Sequence, residues 1–454
     1  MALVKIINGC DFDAFFQGLS SKAADEAENA SVDAAVSEII AAVRNEGDAT
    51  VRRYAERFEK SVPEKFEVPL DAAKEAFESL KTAEPNLAVS LTLAADHIRR
   101  FSELQKEQFS DFEAELAPGL FTGQRVIPVE SAAIYVPAGR FPLVSSALMG
   151  LIPAAVAGVG EKILVSPPCD DGLPDRRILA AAYLAGANRI FALGGAQAVA
   201  ALALGTETIP RVDLIVGPGN KYVTAAKRLL FGEVGIDFAA GPTDVLIIAD
   251  SCAANSNTAD QIAEAADLIA ADMLAQAEHD PDARARALVP DMEMAAQIEQ
   301  ALEKRLSSLI TADTARASLL AGGLIVIYST KEEAISIANR IAPEHLELHV
   351  SSPGEWIDGL KNYGSLFIGS AAAEVLGDYS AGINHTLPTS ASARFTGGLS
   401  VRHFLKTVTT LRCAPGKGYS EALAAAETIA DAEGLAGHAA SAALRGRVAE
   451  TPGP

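Results

Sequence analysis

Val212-Asp-Leu-Ile-Val-Gly-Pro-Gly-Asn220 reads as a short apolar strand, Val212–Val216, that runs into a glycine turn and then a helix over Lys221–Phe231. The same order recurs upstream. Strand Lys162–Ser166 precedes helix Asp175–Ala185, and strand Arg189–Leu193 runs into Gly194-Gly-Ala-Gln197, which opens a helix reaching about Leu204. Before them, Val126–Val136 reads as strands, Pro137-Ala-Gly-Arg140-Phe-Pro142 as a turn and Leu143–Gly158 as a buried helix. Strict alternation of short apolar strands with helices implies a parallel sheet covered on both faces. Ligands of such sheets bind beyond the carboxyl ends of the strands, which puts Tyr135, Gln197 and Asn220 near one crevice. No turn here is a GxGxxG. Each either turns its amides toward a phosphate or is an ordinary tight turn.

A second alternation follows Gly241-Pro-Thr243. Its strands are Asp244–Ala249, Ala287–Pro290, Leu324–Tyr328 and Ser365–Ile368; its helices are Asn257–Glu278, Met292–Leu306 and Lys331–Ile341. The fold class is therefore α/β, with two Rossmann-like parallel-sheet domains and helical N- and C-terminal extensions. Residues 1–30 close no obvious core. Ser31 reads as the N-cap of a helix carrying Val32, Val36, Ile39 and Val43, and helical sequence continues to about Phe112. From Val401 the pattern gives a short helix, a turn and the Ala-rich helix Ser420–Glu433.

A formal net charge of -21 argues against a nucleic-acid or anionic-membrane surface. The start is not a signal peptide, and Leu143–Gly160 is too short to span a bilayer, so a cytoplasmic protein is expected. Cys10, Cys169, Cys252 and Cys413 lie far apart, like reduced thiols and unlike a disulfide or zinc frame. A metal here needs His, carboxylate or amide ligands.

Gln276 and His279 share a face at the end of a helix that Pro281 stops. They suit either a metal or a plain polar helix end. Glu344-His345, after a proline in a polar turn, suits general-base work or an exposed loop pair. Asp378 follows a strand and a glycine, and His385 follows Asn384 as a candidate site residue or a buried, satisfied imidazole. Gln276, His279, Asp378 and His438 together offer two imidazoles and two oxygen donors, a set suited to zinc.

Seven stretches together resemble the histidinol dehydrogenase family, in the family's order and over most of the chain from about residue 30. They are Ala133-Ile-Tyr-Val-Pro-Ala-Gly139, Gly194-Gly-Ala-Gln-Ala-Val-Ala-Ala-Leu202, Val216-Gly-Pro-Gly-Asn-Lys-Tyr-Val-Thr-Ala-Ala-Lys227, Gln276-Ala-Glu-His-Asp280, Ala342-Pro-Glu-His-Leu-Glu347, Asn384-His-Thr-Leu-Pro388 and Glu433-Gly-Leu-Ala-Gly-His438. The resemblance implies a zinc- and NAD-dependent dehydrogenase that takes an alcohol through an aldehyde to a carboxylate. By motif match it implies Gln276, His279, Asp378 and His438 as zinc ligands and Glu344 and His345 as catalytic residues. Tyr135, Gln197 and Asn220 match NAD contacts. Thr243, His385 and Glu433, with His345 and the four zinc ligands, match substrate contacts.

It also implies a homodimer with shared sites, acting on a small-molecule alcohol and touching neither nucleic acid nor membrane. The implied division is an extension at 1–30, a first α/β domain at 31–134 plus 244–400 carrying the metal and acid–base residues, an inserted NAD-binding domain at 135–243, and a tail at 401–454 reaching the partner. Several positions depart from the family pattern: Ala138, Arg140-Phe141, Thr243, Asp244, Ile383, Thr396-Gly397-Gly398 and a longer segment around Asn255–Ala265. L-histidinol is the first substrate expected. The departures, grouped near the substrate and cofactor mouths, keep another polar alcohol, such as 2,3-dihydroxypropane-1-sulfonate, as the alternative. A non-catalytic, ligand-binding homologue is the competing class.

Overall fold

The computed structural model describes residues 2–19, 22–138, 142–239, 241–250 and 259–449. Arg140 and residues 255–258 of the longer segment lie outside these residues. The chain groups into two compact units: residues to Glu103 with Glu130–Phe404, and Leu104–Val129 with the chain from Leu405 onward.

The larger unit holds two six-stranded sheets. The first is wholly parallel, in the order Lys5–Asn8, Leu324–Ile327, Arg284–Val289, Asp244–Ala249, His345–His349, Ser365–Ile368. Residues 1–30 therefore contribute an edge strand, and Leu3, Val4 and Phe12 are buried. A parallel sheet is covered on both faces, so its strands run continuously apolar; Asp244–Ala249 is buried throughout. The neighbouring strand breaks that rule. In His345-Leu-Glu-Leu-His349 the polar and apolar residues alternate, yet all five are buried. Leu346 and Leu348 join the core under helix Lys331–Ile341. His345, Glu347 and His349 stand in register with Val245, Ile247 and Ala249, so they share the opposite face, under helix Ala259–Ala277. The expected polar turn is instead a central strand. The period-two alternation is its signal.

In the second sheet the order is Glu67–Val68, Arg189–Ala192, Glu161–Ser166, Ser131–Tyr135, Leu214–Val216, Gly235–Ile236, parallel except for the first strand. Helix Lys22–Glu46 buries Val32, Val36, Ile39 and Val43 in the core of this sheet, against Ala198, Leu202 and Val223. The sequence reading grouped these residues with the other sheet. Ser31 lies inside the helix rather than at its cap.

The glycine turn at 217 is fixed by close approach. Gly217 has φ +113, and a Cβ there would stand 2.2 Å from the Tyr135 carbonyl oxygen. Its amide donates to Asp237 at 2.8 Å and its carbonyl accepts from Lys227 Nζ at 2.9 Å. Lys227 and Asp237 form a buried ion pair beneath the turn, which positions Asn220.

In the smaller unit Phe112–Ala117, Leu120–Pro128 and Leu405–Cys413 form an antiparallel sheet, with helices Lys417–Ala432 and Ala436–Ala449. The expected short helix is the 3-10 turn Val401–Phe404, and a strand at 405–413 replaces the expected turn after it. Thr407-Val-Thr-Thr410 is β-branched, which favours a strand, but beyond its first residue the segment is exposed and carries no alternation to read.

Lys227→Met should destabilise the fold by about 3–5 kcal/mol, because it leaves Asp237 buried without its counter-charge. Urea unfolding followed by circular dichroism measures this. A midpoint equal to the parent's would show that the pair does not hold the turn.

Candidate metal and acid–base centre

The centre forms at the amino edge of the first sheet, not at its carboxyl edge. Thr243 and Glu344 immediately precede the adjacent strands Asp244–Ala249 and His345–His349. Helix Ala259–Ala277 brings Gln276 to the same edge at its C-terminal end, and His279 follows just beyond it.

Glu344 is buried, and its pKa is pushed up to about 7. Desolvation is the main cause; the Asp244 charge adds to it, while His345 and the Thr243 hydroxyl oppose it. Its Oε2 accepts from Thr243 Oγ1 at 2.5 Å and from the Asp244 amide at 3.2 Å. Its own amide donates to Asp244 Oδ1 at 3.0 Å, and the other Asp244 oxygen accepts from buried Arg286 at 3.4 Å. Asp244 thus clamps the backbone that presents the acid.

His345 is enclosed by carboxylates. Its Nδ1 lies 3.6 Å from Glu374 and 4.0 Å from Glu344, and its Nε2 lies 3.6 Å from Asp378. Both ring nitrogens are buried without a hydrogen-bond partner. Burial alone would lower the imidazole pKa. The charges of Glu374, Glu344 and Asp378 outweigh burial and raise it well above the ordinary value. Glu374 was missed in the sequence. Its signal is the spacing Glu374-Val-Leu-Gly-Asp378, which places two carboxylates on one face of helix Glu374–Tyr379.

Donor atoms of His279, Glu374 and Asp378 lie within 4.8 Å of one another. Gln276 stands beside them. Its Nε2 donates to Thr243 Oγ1 at 2.8 Å, which leaves Oε1 facing the Glu374 oxygens at 2.8 and 3.2 Å. Acceptor against acceptor is repulsive. Turning the amide over relieves it; so does a cation, with Oε1 left in place as a ligand. Oxygen and imidazole donors converging in this way fit a first-row divalent metal. A cavity of about 580 Å³, lined by His279, Leu143, Tyr379 and Leu91, opens beside the cluster.

At the carboxyl ends of the second sheet, Tyr135, Gln197 and Asn220 come together around a cleft of about 860 Å³. The glycine amides there are already taken. Gly194 donates to Glu59 Oε1 at 2.8 Å, and Gly195 donates to the Tyr135 hydroxyl at 3.1 Å. Burial raises Glu59 to about 7 and Tyr135 to about 12. Asn220 caps helix Lys221–Leu230, its Oδ1 accepting from Tyr222 and Val223.

His385 links the two sheets. Its Nδ1 lies 2.9 Å from the Asp378 carbonyl oxygen and its Nε2 lies 3.1 Å from Ser146 Oγ. Both nitrogens are partnered, so in this structure it holds the Asp378 segment in place. Glu433 and His438 belong to the smaller unit. There they are exposed and line one concavity of about 390 Å³ between its two helices.

The family model for histidinol dehydrogenase matches residues 22–446. A histidinol dehydrogenase of Chlorobium chlorochromatii is 44% identical over 422 residues, 93% of this chain and 94% of the relative. One from Thermus thermophilus is 45% identical over 407 residues, 90% of this chain and 93% of the relative. A Shouchella clausii protein called a histidinol dehydrogenase homolog is 39% identical over 414 residues, 91% of this chain and 94% of the relative. The crystal structure of a histidinol dehydrogenase from Elizabethkingia anophelis superposes with a TM-score of 0.84 at 33% identity, over 92% of each chain.

His279→Ala should release one equivalent of first-row divalent metal per chain relative to the parent. Plasma emission after dialysis measures the metal, with circular dichroism as the folding control. Unchanged metal content in a folded variant would remove His279 from the centre.

Proposed function

The chain belongs to the histidinol dehydrogenase family, and from that premise we propose that it oxidises L-histidinol through the aldehyde to L-histidine, using NAD and zinc. It is an oxidoreductase acting on a CH–OH group. The observation that carries the proposal is the cluster of buried Glu344 and His345 with half-buried Asp378 and exposed His279, beside an open cavity.

In this reading two hydrides leave the substrate carbon for two NAD molecules. One water supplies the second carboxylate oxygen, and the protons released leave through the enzyme's bases. His345 accepts the alcohol proton. Glu344, with a pKa near the operating pH, takes a proton from the water that hydrates the aldehyde. Thr243 bridges the two functions, since its hydroxyl donates to Glu344 and accepts from Gln276. Zinc held by Gln276, His279, Asp378 and His438 would polarise the alcohol oxygen and offset the carboxylate charge around His345. Glu433 and His385 complete the substrate contacts, His385 by positioning Asp378. Tyr135, Gln197 and Asn220 would hold NAD in their cleft, in a body that joins residues 135–243 to strands Glu67–Val68 and Ser131–Tyr135 and helix Lys22–Glu46.

We further infer a homodimer in which residues 401–454 reach the partner's site. The exposure of Glu433 and His438 on their own unit supports this. An assay of NADH formed per L-histidinol consumed tests the activity. Two NADH per alcohol is expected, and no turnover with zinc and NAD present would reject it. A panel that includes a sulfonated diol separates the alternative substrate.

Glu344→Gln should slow aldehyde oxidation by about 10²–10⁴ and alcohol oxidation by less, in line with loss of a positioned base. Equal losses in stopped-flow traces of both half-reactions would contradict the division of roles. Mixing inactive Glu344→Gln and His438→Ala chains under exchange conditions should restore about a quarter of parent activity, since half the dimers are mixed and each has one intact shared site. No recovery despite proven chain exchange would show that the tail serves its own subunit.

A further inference from the structure

One wall of the cleft beside the second sheet comes from far along the chain. Glu59 ends helix Asp48–Phe58, its amide donating to the Ala55 carbonyl at 2.9 Å. Arg52 of that helix donates to the Pro63 and Glu64 carbonyls at 3.2 and 2.8 Å, which folds the following segment back. Strand Glu67–Val68 then pairs with Arg189–Ala192, and the Ala192 amide donates to the Phe66 carbonyl at 2.8 Å. The segment that carries Glu59 is therefore fastened to the strand that runs into Gly194. Glu59 Oε1 accepts the Gly194 amide at 2.8 Å and Gln197 Nε2 at 3.4 Å. Its other oxygen, Oε2, is sealed from solvent without a partner. Glu59 lines the same cleft as Tyr135, Gln197 and Asn220.

We propose that Glu59 is a positioning residue for NAD: one of its oxygens holds the Gly194 amide and the Gln197 side chain, and so fixes the turn that sets Gln197 and Tyr135 for the cofactor. The inference rests on the reading of this cleft as the NAD site. Tyr135 hangs on the same turn, since its hydroxyl accepts the Gly195 amide at 3.1 Å. Two consecutive amides thus tie Glu59, Gln197 and Tyr135 together. Gly195 takes φ +69, and a Cβ there would stand 2.6 Å from Gln197 Oε1, so the turn needs glycine. Paired glycines are conformationally loose. The carboxyl supplies the constraint that side chains at 194 and 195 cannot. The same bonds deny these two amides to a phosphate, the usual ligand of such a turn. Burial raises Glu59 to about 7. Neutral or ionised, the carboxyl keeps an acceptor for Gly194, so the working property is the oxygen and not the charge.

The competing arrangement has Glu59 leave the turn and take hydroxyls of the cofactor ribose itself. Fluorescence titration of the full-length, zinc-loaded protein with NADH, alongside steady-state kinetics, tests the proposal. Glu59→Leu should weaken NADH binding about tenfold, the scale of a hydrogen bond lost from a buried donor. The loss should fall on KM for NAD, with kcat kept at saturating NAD. Glu59→Gln retains an acceptor oxygen and should restore both NADH affinity and KM. A Gln variant as weak as the Leu variant would overturn the role of the oxygen. Parent-like affinity in Glu59→Leu would overturn the proposal and leave the NAD site standing. A parent that binds no NADH would reject the NAD site and this inference with it. Should Glu59→Leu fail to fold, a crystal structure of the parent with NADH decides. Glu59 still on the Gly194 amide supports the proposal, and Glu59 turned onto the ribose rejects it.

Discussion

The larger unit depends on one unusual contact: a strand with three ionisable residues on its inner face, pressed against a helix that answers with Asp272 and Gln276. A parallel sheet interior is normally apolar because an uncompensated buried charge costs several kcal/mol. Here Glu344, His345, Glu347 and His349 are all buried on one short stretch, with Glu374 buried against them. Such an array persists only if charges of opposite sign, shared protons or cations offset it. The same low-dielectric surroundings raise the Glu344 pKa to about 7, and carboxylates enclose His345.

The contact also explains why the candidate centre sits at the amino edge of this sheet. The helix runs antiparallel to the strands, so its C-terminal end, which carries Gln276, arrives where strands Asp244–Ala249 and His345–His349 begin. The backbone clamp of Asp244, held in turn by Arg286, keeps Glu344 at that edge. The second sheet follows the usual rule, with Tyr135, Gln197 and Asn220 at the carboxyl ends of its strands.

Much of this architecture was legible in the sequence wherever burial produced an unbroken apolar run, as in Asp244–Ala249 or Leu214–Val216. It was hidden where polarity and burial coincide. His345–His349 looks like a turn because its polar residues are those of a surface, and only their spacing reveals the strand. Leu405–Cys413 was missed for the opposite reason: it is exposed, so burial imposes no pattern on it. In the site, Glu344, His345, Gln276, His279 and Asp378 were named from motifs. Their partner Glu374 was not, nor were Glu59 in the other cleft and Asp272 deeper on the helix, because a lone carboxylate reads as solvated until the fold encloses it. That helix Lys22–Glu46 belongs with the second sheet is a long-range packing fact that no local pattern encodes.

The first sheet also keeps its two ends apart. Strand Asp244–Ala249 begins where Asp244 meets Glu344 and finishes beside Asp250. A six-residue strand is about 20 Å long, so Asp250 lies far from Glu344. What Asp250 does adjoin is His349, whose carbonyl accepts its amide at 3.3 Å. A substitution at Asp250 is therefore felt first at the deep end of strand His345–His349, as a change in rigidity rather than in the acid–base cluster.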